Sequence, residues 1–436
     1  MKLRLDSRIR LGTTEYPFLS IAIALGLILL SLFLPVFLCY AAFAICLYRV
    51  FRYDAKVFAT DYCVLMPTAR LFRTTGNMNL LVWLCLIAGV WYLVRGKIRI
   101  NRALVILILL LNYLLLRMQM NINDFVLCFG QIFVLFVLVP KQDADSSERS
   151  VKAFIASMLL VAGYAMLFRN NPNMIEIRGY EETAIWGTSI MRFSCFEADP
   201  NYYATLILLG LALLCKLKES GRIRSIWFWT SGAALCIVGA LTYSKSFLLV
   251  LVLLGGIYII WQMWSRKIIK GMAWAAFGTI VGMYLLFAES SPFAVIMMRL
   301  TSSSDLAELT TGRTELFAQY WNVISENVGT LLFGKGLQAD ILQDKGVHNL
   351  YLEIVYYTGL IGLILIMGFY ISMVQSIERQ NPTLKKQNVF SKYTVIVILA
   401  VSYLALQGMF QLITYEGLFL AFVSVYLTKA ETKPGE

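Results

Sequence analysis

The sequence predicts an all-α, polytopic membrane bundle of about 12–14 spanning helices, with a large outer loop before the third-last span. Three observations predict it. Apolar stretches recur along the whole chain, each close to the ~20 helical residues that cross a hydrocarbon core. Hydrophobic residues make up 59% of the 436 residues and charged residues 15%, against roughly 45–50% and 25% in soluble domains. Finally, the 38 basic and 26 acidic residues give a net charge of +12, and the basic ones sit in short clusters between apolar runs. That is the pattern of cytoplasmic loops, not of a continuous phosphate-binding face. Soluble, disordered, fibrous and disulfide-framework classes are excluded, and no nucleic acid is expected. The first apolar run is too long for a cleavable signal, so none is expected.

The elements follow in order. The run from Pro17 to Phe51 is too long for one helix, and Pro35 marks the expected turn between two spans. The segment 57–72 is short and interrupted by Asp61, Pro67 and Arg70, so it reads as a broken helix. Clear spans then run 78–94, 103–118, 124–140, 152–168, 200–216, 226–243, 247–264, 271–288, 351–374, 394–412 and 414–428. No internal repeat is visible.

Loop cations set the orientation. Arg95, Lys97, Arg99 and Arg102 mark one cytoplasmic loop. Lys141, Arg149 and Lys152 mark the next, then Lys216, Lys218, Arg222 and Arg224, then Arg266, Lys267 and Lys270, and last Arg379, Lys385, Lys386 and Lys392. Their alternation puts 169–199 and 289–347 outside and the C-terminus in the cytoplasm.

Of eight cysteines, six (Cys39, Cys46, Cys85, Cys128, Cys215, Cys236) lie in apolar runs, with no CxxC pair. The chain has one histidine. No metal site and no cofactor are expected from such a set. Asp143-Ala144-Asp145 matches a DxD pattern in form but stands in a Ser-rich loop with basic neighbours, and reads as a solvated loop.

The polar residues that a lipid environment does not ask for lie in the outer loops. In 289–347, Thr311-Gly312-Arg313 precedes an amphipathic stretch. Leu316, Phe317, Tyr320, Trp321, Ile324 and Val328 share one helical face there, which either lies on the membrane or caps the bundle. Phe333-Gly334-Lys335-Gly336 then turns the chain. The loop ends at Val347-His348-Asn349. His348 has the one side chain whose unperturbed pKa suits proton transfer near neutrality; a helix-start histidine bonding a backbone group is the plain alternative. The other outer loop ends in Arg192 and Asp199-Pro200-Asn201-Tyr202, where Asp199 and Pro200 also suit the first positions of a helix. Ser244-Lys245-Ser246 is a polar break between two spans, and Lys245 either snorkels or binds an anion.

His348-Asn349 is followed by nine residues and then Gly359-Leu360-Ile361-Gly362. With the Thr-Gly-Arg and Phe-Gly-Lys-Gly elements before it, and Arg192 with Asp199-Pro200-Asn201 upstream, this signature resembles the O-antigen polymerase/O-antigen ligase family of bacterial envelope glycosyltransferases. The likeness is concentrated in residues 190–375. It implies that His348 activates an acceptor sugar hydroxyl and that Arg313 holds the diphosphate of a polyprenyl-linked donor. Arg192 and Lys245 become further diphosphate or sugar contacts, beside Asn349 and Asp199. Glu353 stands where it would orient the imidazole. Two departures from the family pattern are Phe317 in place of an aliphatic residue after Arg313, and Lys245 in place of an arginine. Gly359 and Gly362 also have a plain reading, close helix packing in the bilayer.

The resulting division is 1–168 N-terminal helices, 169–199 outer loop, 200–288 central helices, 289–350 large catalytic loop and 351–436 C-terminal helices and tail. The resemblance implies a multi-pass protein of the bacterial inner membrane that polymerises polyprenyl-diphosphate-linked oligosaccharide repeat units without a metal. Its partners would be that lipid-linked substrate, the bilayer, and flippase and chain-length regulator proteins. An O-antigen ligase or protein O-glycosylating transferase shares the same residues with another acceptor. A polysaccharide flippase or transporter shares the topology, but such proteins concentrate broken helices and charges at the midplane and carry repeats.

Overall fold

The computed structural model describes residues 8–11, 14–34, 36–75, 78–96, 102–117, 130–176, 179–185, 188–197, 199–264, 282, 293–296, 313–337, 339, 342, 346–381, 384, 389–405 and 412–427. Within them the chain begins with an antiparallel hairpin of β1 (Arg8–Leu11) and β2 (Thr14–Pro17). Helices α1 (Leu19–Leu30), α2 (Phe37–Arg52), α3 (Ala55–Leu65), α4 (Leu80–Arg95), α5 (Arg102–Arg117), α6 (Gln131–Leu138) and α7 (Ala144–Leu167) follow. A second hairpin, β3 (Tyr180–Ile185) with β4 (Thr188–Phe193), precedes α8 (Pro200–Glu219), α9 (Ser225–Ala240) and α10 (Lys245–Trp264). The last group is α11 (Arg313–Ser325), α12 (Val328–Phe333), α13 (Leu350–Gln380), α14 (Val389–Ser402) and α15 (Leu412–Ser424).

The expected helical membrane architecture is present, and the helices track the apolar runs closely. Among the described residues α7, α8 and α13 are long and apolar enough by themselves to cross a membrane, and several shorter apolar helices accompany them. Pro35, the 271–288 run apart from residue 282, Lys97, Arg99, Arg266, Lys267, Lys270, Lys385, Lys386 and Thr311-Gly312 lie outside the described residues. The two hairpins are additions to the all-helical expectation.

Two local readings change and a third holds. Asp143 and Asp145 do not stand in a solvated loop. Asp143 caps α7 in a reciprocal capping box with Ser146 and pairs with Lys56, while Asp145 meets Arg222 at 3.1 Å. The amphipathic face of α11 keeps Leu316, Tyr320 and Ile324 buried, but Trp321 is 52% and Val328 71% exposed. The periodicity was carried past a helix end there: Asn327 caps a new helix, its side chain accepting from the Thr330 N–H at 2.8 Å. The segment around Asp61 is broken as expected, α3 giving way to a single 3₁₀ turn at Met66–Thr68 that contains Pro67. Asp61 itself is buried and bound by two Arg49 nitrogens at 2.8 and 2.7 Å. Pairing of that kind makes two charges tolerable inside an apolar bundle.

The core is centred on α8, whose spanning stretch is 89% buried, against 28% for α13. Around α8 pack α7, α9, α10, α14 and α15, while α13 leans on α5, α11 and α12. One break in α13 shapes the end that carries His348. Gly359 has φ +67° and ψ −176°, a conformation essentially confined to glycine. The break frees the carbonyls of Tyr356, Tyr357 and Thr358. The Lys335 and Gly336 N–H groups take the first two at 2.8 and 3.0 Å, and the Tyr113 hydroxyl takes the third at 2.6 Å. Gly334, with φ +73°, sits against Tyr357, so a Cβ there would strike the Tyr357 carbonyl carbon; a Cβ on Gly359 would strike the Leu332 carbonyl. Arg117 donates to the Gly334 carbonyl at 2.7 Å and locks the turn to α5. Gly359 is therefore a backbone junction, not only a small residue at a helix contact.

Candidate active site

His348 sits immediately before α13 with φ +49°. That left-handed conformation costs an L-residue roughly 1–2 kcal/mol. The cap of α13 is Asn349, whose side-chain oxygen accepts from the Tyr351 and Leu352 N–H groups, both at 3.1 Å. The capping role weighed for His348 thus belongs to its neighbour, and the imidazole is left for other work. Cys195 and Tyr243 are the other non-glycine residues with positive φ among the described residues. Cys195 follows Arg192 by three positions and Tyr243 precedes Lys245 by two. Strained backbone clusters at functional sites, and here it marks the three segments singled out by their polar residues.

Two of those segments are joined by hydrogen bonds. Arg192 on β4 is buried; its Nε donates to the Thr242 carbonyl at 3.1 Å and its Nη2 to Asn201 Oδ1 at 3.2 Å. Ser244 Oγ donates to the same Asn201 oxygen at 2.8 Å and lies 2.8 Å from Ser246 Oγ. The Phe193 N–H donates to the Leu241 carbonyl at 3.0 Å. The second hairpin is in this way docked onto the turn between α9 and α10, next to the half-buried Lys245. Asp199 caps α8 by accepting from the Asn201 N–H at 2.6 Å, so its helix-start reading holds.

The third segment joins through charge. Burial first, then the Arg313 guanidinium, hold His348 below its ordinary value near 6.5, while Asp199 pulls it up. Burial also lowers Arg313, with Asp199 supporting its charge and Arg192 opposing it. Arg192 is lowered by burial against the pull of Glu181 and Asp199. Arg192, Asp199, Arg313 and His348 therefore form one electrostatic group, built from β4, the start of α8, the start of α11 and the start of α13. Asp199 is a carboxylate that raises His348. Glu353 acts on Tyr320, whose pKa is raised first by burial, on the side of α13 that faces α11.

The arrangement has definite chemical capacity. A neutral imidazole near pH 7 accepts a proton, and guanidinium groups bind phosphate oxygens in pairs. Asn201 and the Thr242 carbonyl, which hold Arg192, were missed in the sequence. Asn201 stood inside a quoted motif, but a backbone carbonyl leaves no trace in residue type.

Beside the site, a cavity of about 460 Å³ begins at Leu350 and Tyr351 and runs between α5, α13, α14 and α15 to Glu378 and Tyr393. Its walls are almost wholly aliphatic and aromatic, among them Leu114, Ile366, Phe369 and Phe422.

Comparison with known proteins gives three findings. Residues 230–367 match the O-antigen ligase family. The chain is 27% identical over 272 residues to the ComP-specific O-oligosaccharyltransferase of Acinetobacter baylyi, a match covering 57% of this chain and 48% of that protein. The chain thus spans about half the length of this curated relative. No solved structure matches it. The matched family segment reaches from within α9 into α13 and contains Lys245, Arg313, His348, Asn349 and Gly359, while Arg192 and Asp199 precede it. Through that segment, and with the membrane helices around it, the chain is similar to the O-antigen ligase family.

Proposed function

We propose that this protein transfers a glycan from a polyprenyl diphosphate carrier to an acceptor hydroxyl on the outer side of the bacterial inner membrane. One observation carries the reading: a half-buried, strained His348 in the field of Arg313, two residues before the wall of an apolar cavity begins at Leu350. The imidazole takes the proton of the acceptor hydroxyl. The hydroxyl oxygen forms a bond to the anomeric carbon, and the bond from that carbon to the diphosphate oxygen breaks. Attack opposite the leaving group inverts the anomeric centre. Arg313 carries the charge that develops on the departing diphosphate, an electrostatic contribution realised in the transition state. Arg192, already bound to Thr242 and Asn201, acts by fixing the position of the site and its positive field. Lys245 adds a point charge at the start of α10. The cavity beside Leu350 accepts the prenyl chain of the carrier.

The acceptor divides two readings. The motif set of the sequence favours repeat-unit polymerisation, with flippase and chain-length regulator proteins as partners. The O-antigen ligase family match and the oligosaccharyltransferase relative favour transfer of a finished glycan to a terminal acceptor. The proposed contact residues His348, Arg313, Arg192 and Lys245 stand at helix starts and on a hairpin rather than within a broken helix, which speaks against a flippase.

The test is reconstitution of the full chain in vesicles with a synthetic lipid-diphosphate glycan, comparing wild type, Arg313→Ala and Arg313→Lys. Product should form with wild type and fall by about 10²–10³-fold in Arg313→Ala, the usual cost of a lost transition-state donor. Arg313→Lys should recover little, because a point charge does not make the bidentate contact. Unchanged transfer by Arg313→Ala overturns the assignment. A ladder of lengthening products identifies a polymerase, and a single transfer to a lipid or protein acceptor identifies a ligase.

A further inference from the structure

At the end of the bundle opposite His348, a cleft of about 850 Å³ opens between α7, the end of α8 and the start of α9. Its lining is divided. Lys152, Arg222 and Arg224 stand at the rim, and Ile155, Leu159, Leu214 and Leu217 form the inner wall. Leu159 lies seven residues along α7 from Lys152, roughly 10 Å further into the bundle. The cations exceed their internal partners. Glu148 is shared by Lys152 at 2.5 Å and Arg222 at 2.6 Å, and Asp145 binds Arg222 at 3.1 Å. The exposed Arg224 side chain has no hydrogen bond or ion pair among the described residues. Lys218 adds a fourth cation, bonded to Ser225 at 2.6 Å at the start of α9. On the flank, Ile226 is 64%, Trp227 61% and Trp229 49% exposed. Indole rings at that level are typical of the membrane interface.

We infer that this cleft is a binding site for an anionic phospholipid of the cytoplasmic leaflet, the headgroup phosphate held by Lys152, Arg222 and Arg224 and an acyl chain lying along Leu159, Leu214 and Leu217. Net positive charge at the rim, an apolar wall beneath it and exposed tryptophans beside it together match one amphiphile. An acidic protein segment satisfies the cations but leaves the wall and Trp227 uncovered. Basic pockets between membrane helices on the cytoplasmic side recognise such headgroups. The inference rests on the membrane orientation proposed above, and not on the glycosyl-transfer chemistry.

Native mass spectrometry of the full chain in non-ionic detergent tests it, titrating phosphatidylglycerol against phosphatidylcholine. Wild type should retain the anionic lipid preferentially. Arg224→Gln, an exposed change that leaves the fold intact, should weaken that retention roughly fivefold, and Lys152→Gln/Arg224→Gln roughly 25-fold. Trp227→Ala should weaken retention of both lipids. The catalytically impaired His348→Gln should bind as wild type does, which separates failure of this site from failure of the proposed function. Equal retention of the anionic lipid by wild type and the double variant overturns the proposal. So does binding of glycerol phosphate or of a soluble acidic peptide as tight as that of the lipid, which would make the cleft a simple anion or protein site.

Discussion

His348 combines a strained backbone, a cap supplied by its neighbour and a depressed pKa, and each has a consequence for its variants. His348→Gly removes the left-handed penalty of roughly 1–2 kcal/mol, so the protein should be at least as abundant and as heat-stable as wild type. Lacking a base, it should transfer glycan about 10²–10⁴-fold more slowly. His348→Gln keeps a hydrogen-bonding side chain but takes no proton, and should be nearly as slow. Normal transfer by His348→Gln, with protein level measured alongside, removes the imidazole from the mechanism. The pH profile follows from the same site. In the proposed mechanism the competent form is neutral imidazole, present above its pKa and lost as pH falls through it. Burial and Arg313 set that pKa under 6.5, so the acid limb of the transfer rate should fall below pH 6.5, and a limb above it contradicts the geometry. These side chains were visible in the sequence as types and spacings. Their division of labour was not, because His348, Asn349, Asp199 and Glu353 are sorted by which backbone groups and which neighbouring helix they meet.

The junction between α12 and α13 is the element on which the site turns. Its hydrogen bonds join the turn at Gly334–Gly336 to the exposed carbonyls of a broken helix, and Tyr113 and Arg117 tie both to α5. Gly359→Ala places a Cβ on the Leu332 carbonyl and forces a backbone conformation costing about 1–3 kcal/mol before any clash. It should lower thermal stability and abolish transfer even though Gly359 is not itself a proposed contact with substrate. Gly362→Ala keeps an ordinary helical backbone and meets side chains alone, Thr358 Oγ1 and, at 3.3 Å, the Tyr113 ring, so it carries a packing cost without the backbone strain. A thermal-shift comparison of the two variants decides this: equal loss would mean that only helix packing is at stake. The sequence carried both glycine motifs but not their meeting, since nothing in either motif indicates that the orphaned carbonyls of one are met by the amides of the other. The hairpin β3–β4 went unread for a similar reason. Its register depends on docking against the turn at Leu241 and Thr242, a tertiary cause.

At the scale of the whole molecule, the helical membrane class was legible because lipid demands long apolar helices with satisfied backbones, a requirement written into composition. The expected orientation rests in part on the same cations that line the cleft between α7, α8 and α9. Reporters fused after Arg222 should therefore read inside, while those within 169–199 and at Ser325 should read outside; a cytoplasmic signal at Ser325 sinks the outer-face mechanism. The ties of the junction also carry a consequence in time. Tyr113 and Thr358 are 245 residues apart in the chain, and Arg117 and Gly334 are 217 apart. Chains are made and inserted from the N-terminus, so most of the helices have entered the membrane before either bond exists. The seat of His348 is completed only when α13 emerges. A nascent or truncated chain that ends before Gly359 already holds most of the membrane helices but lacks the junction that seats His348.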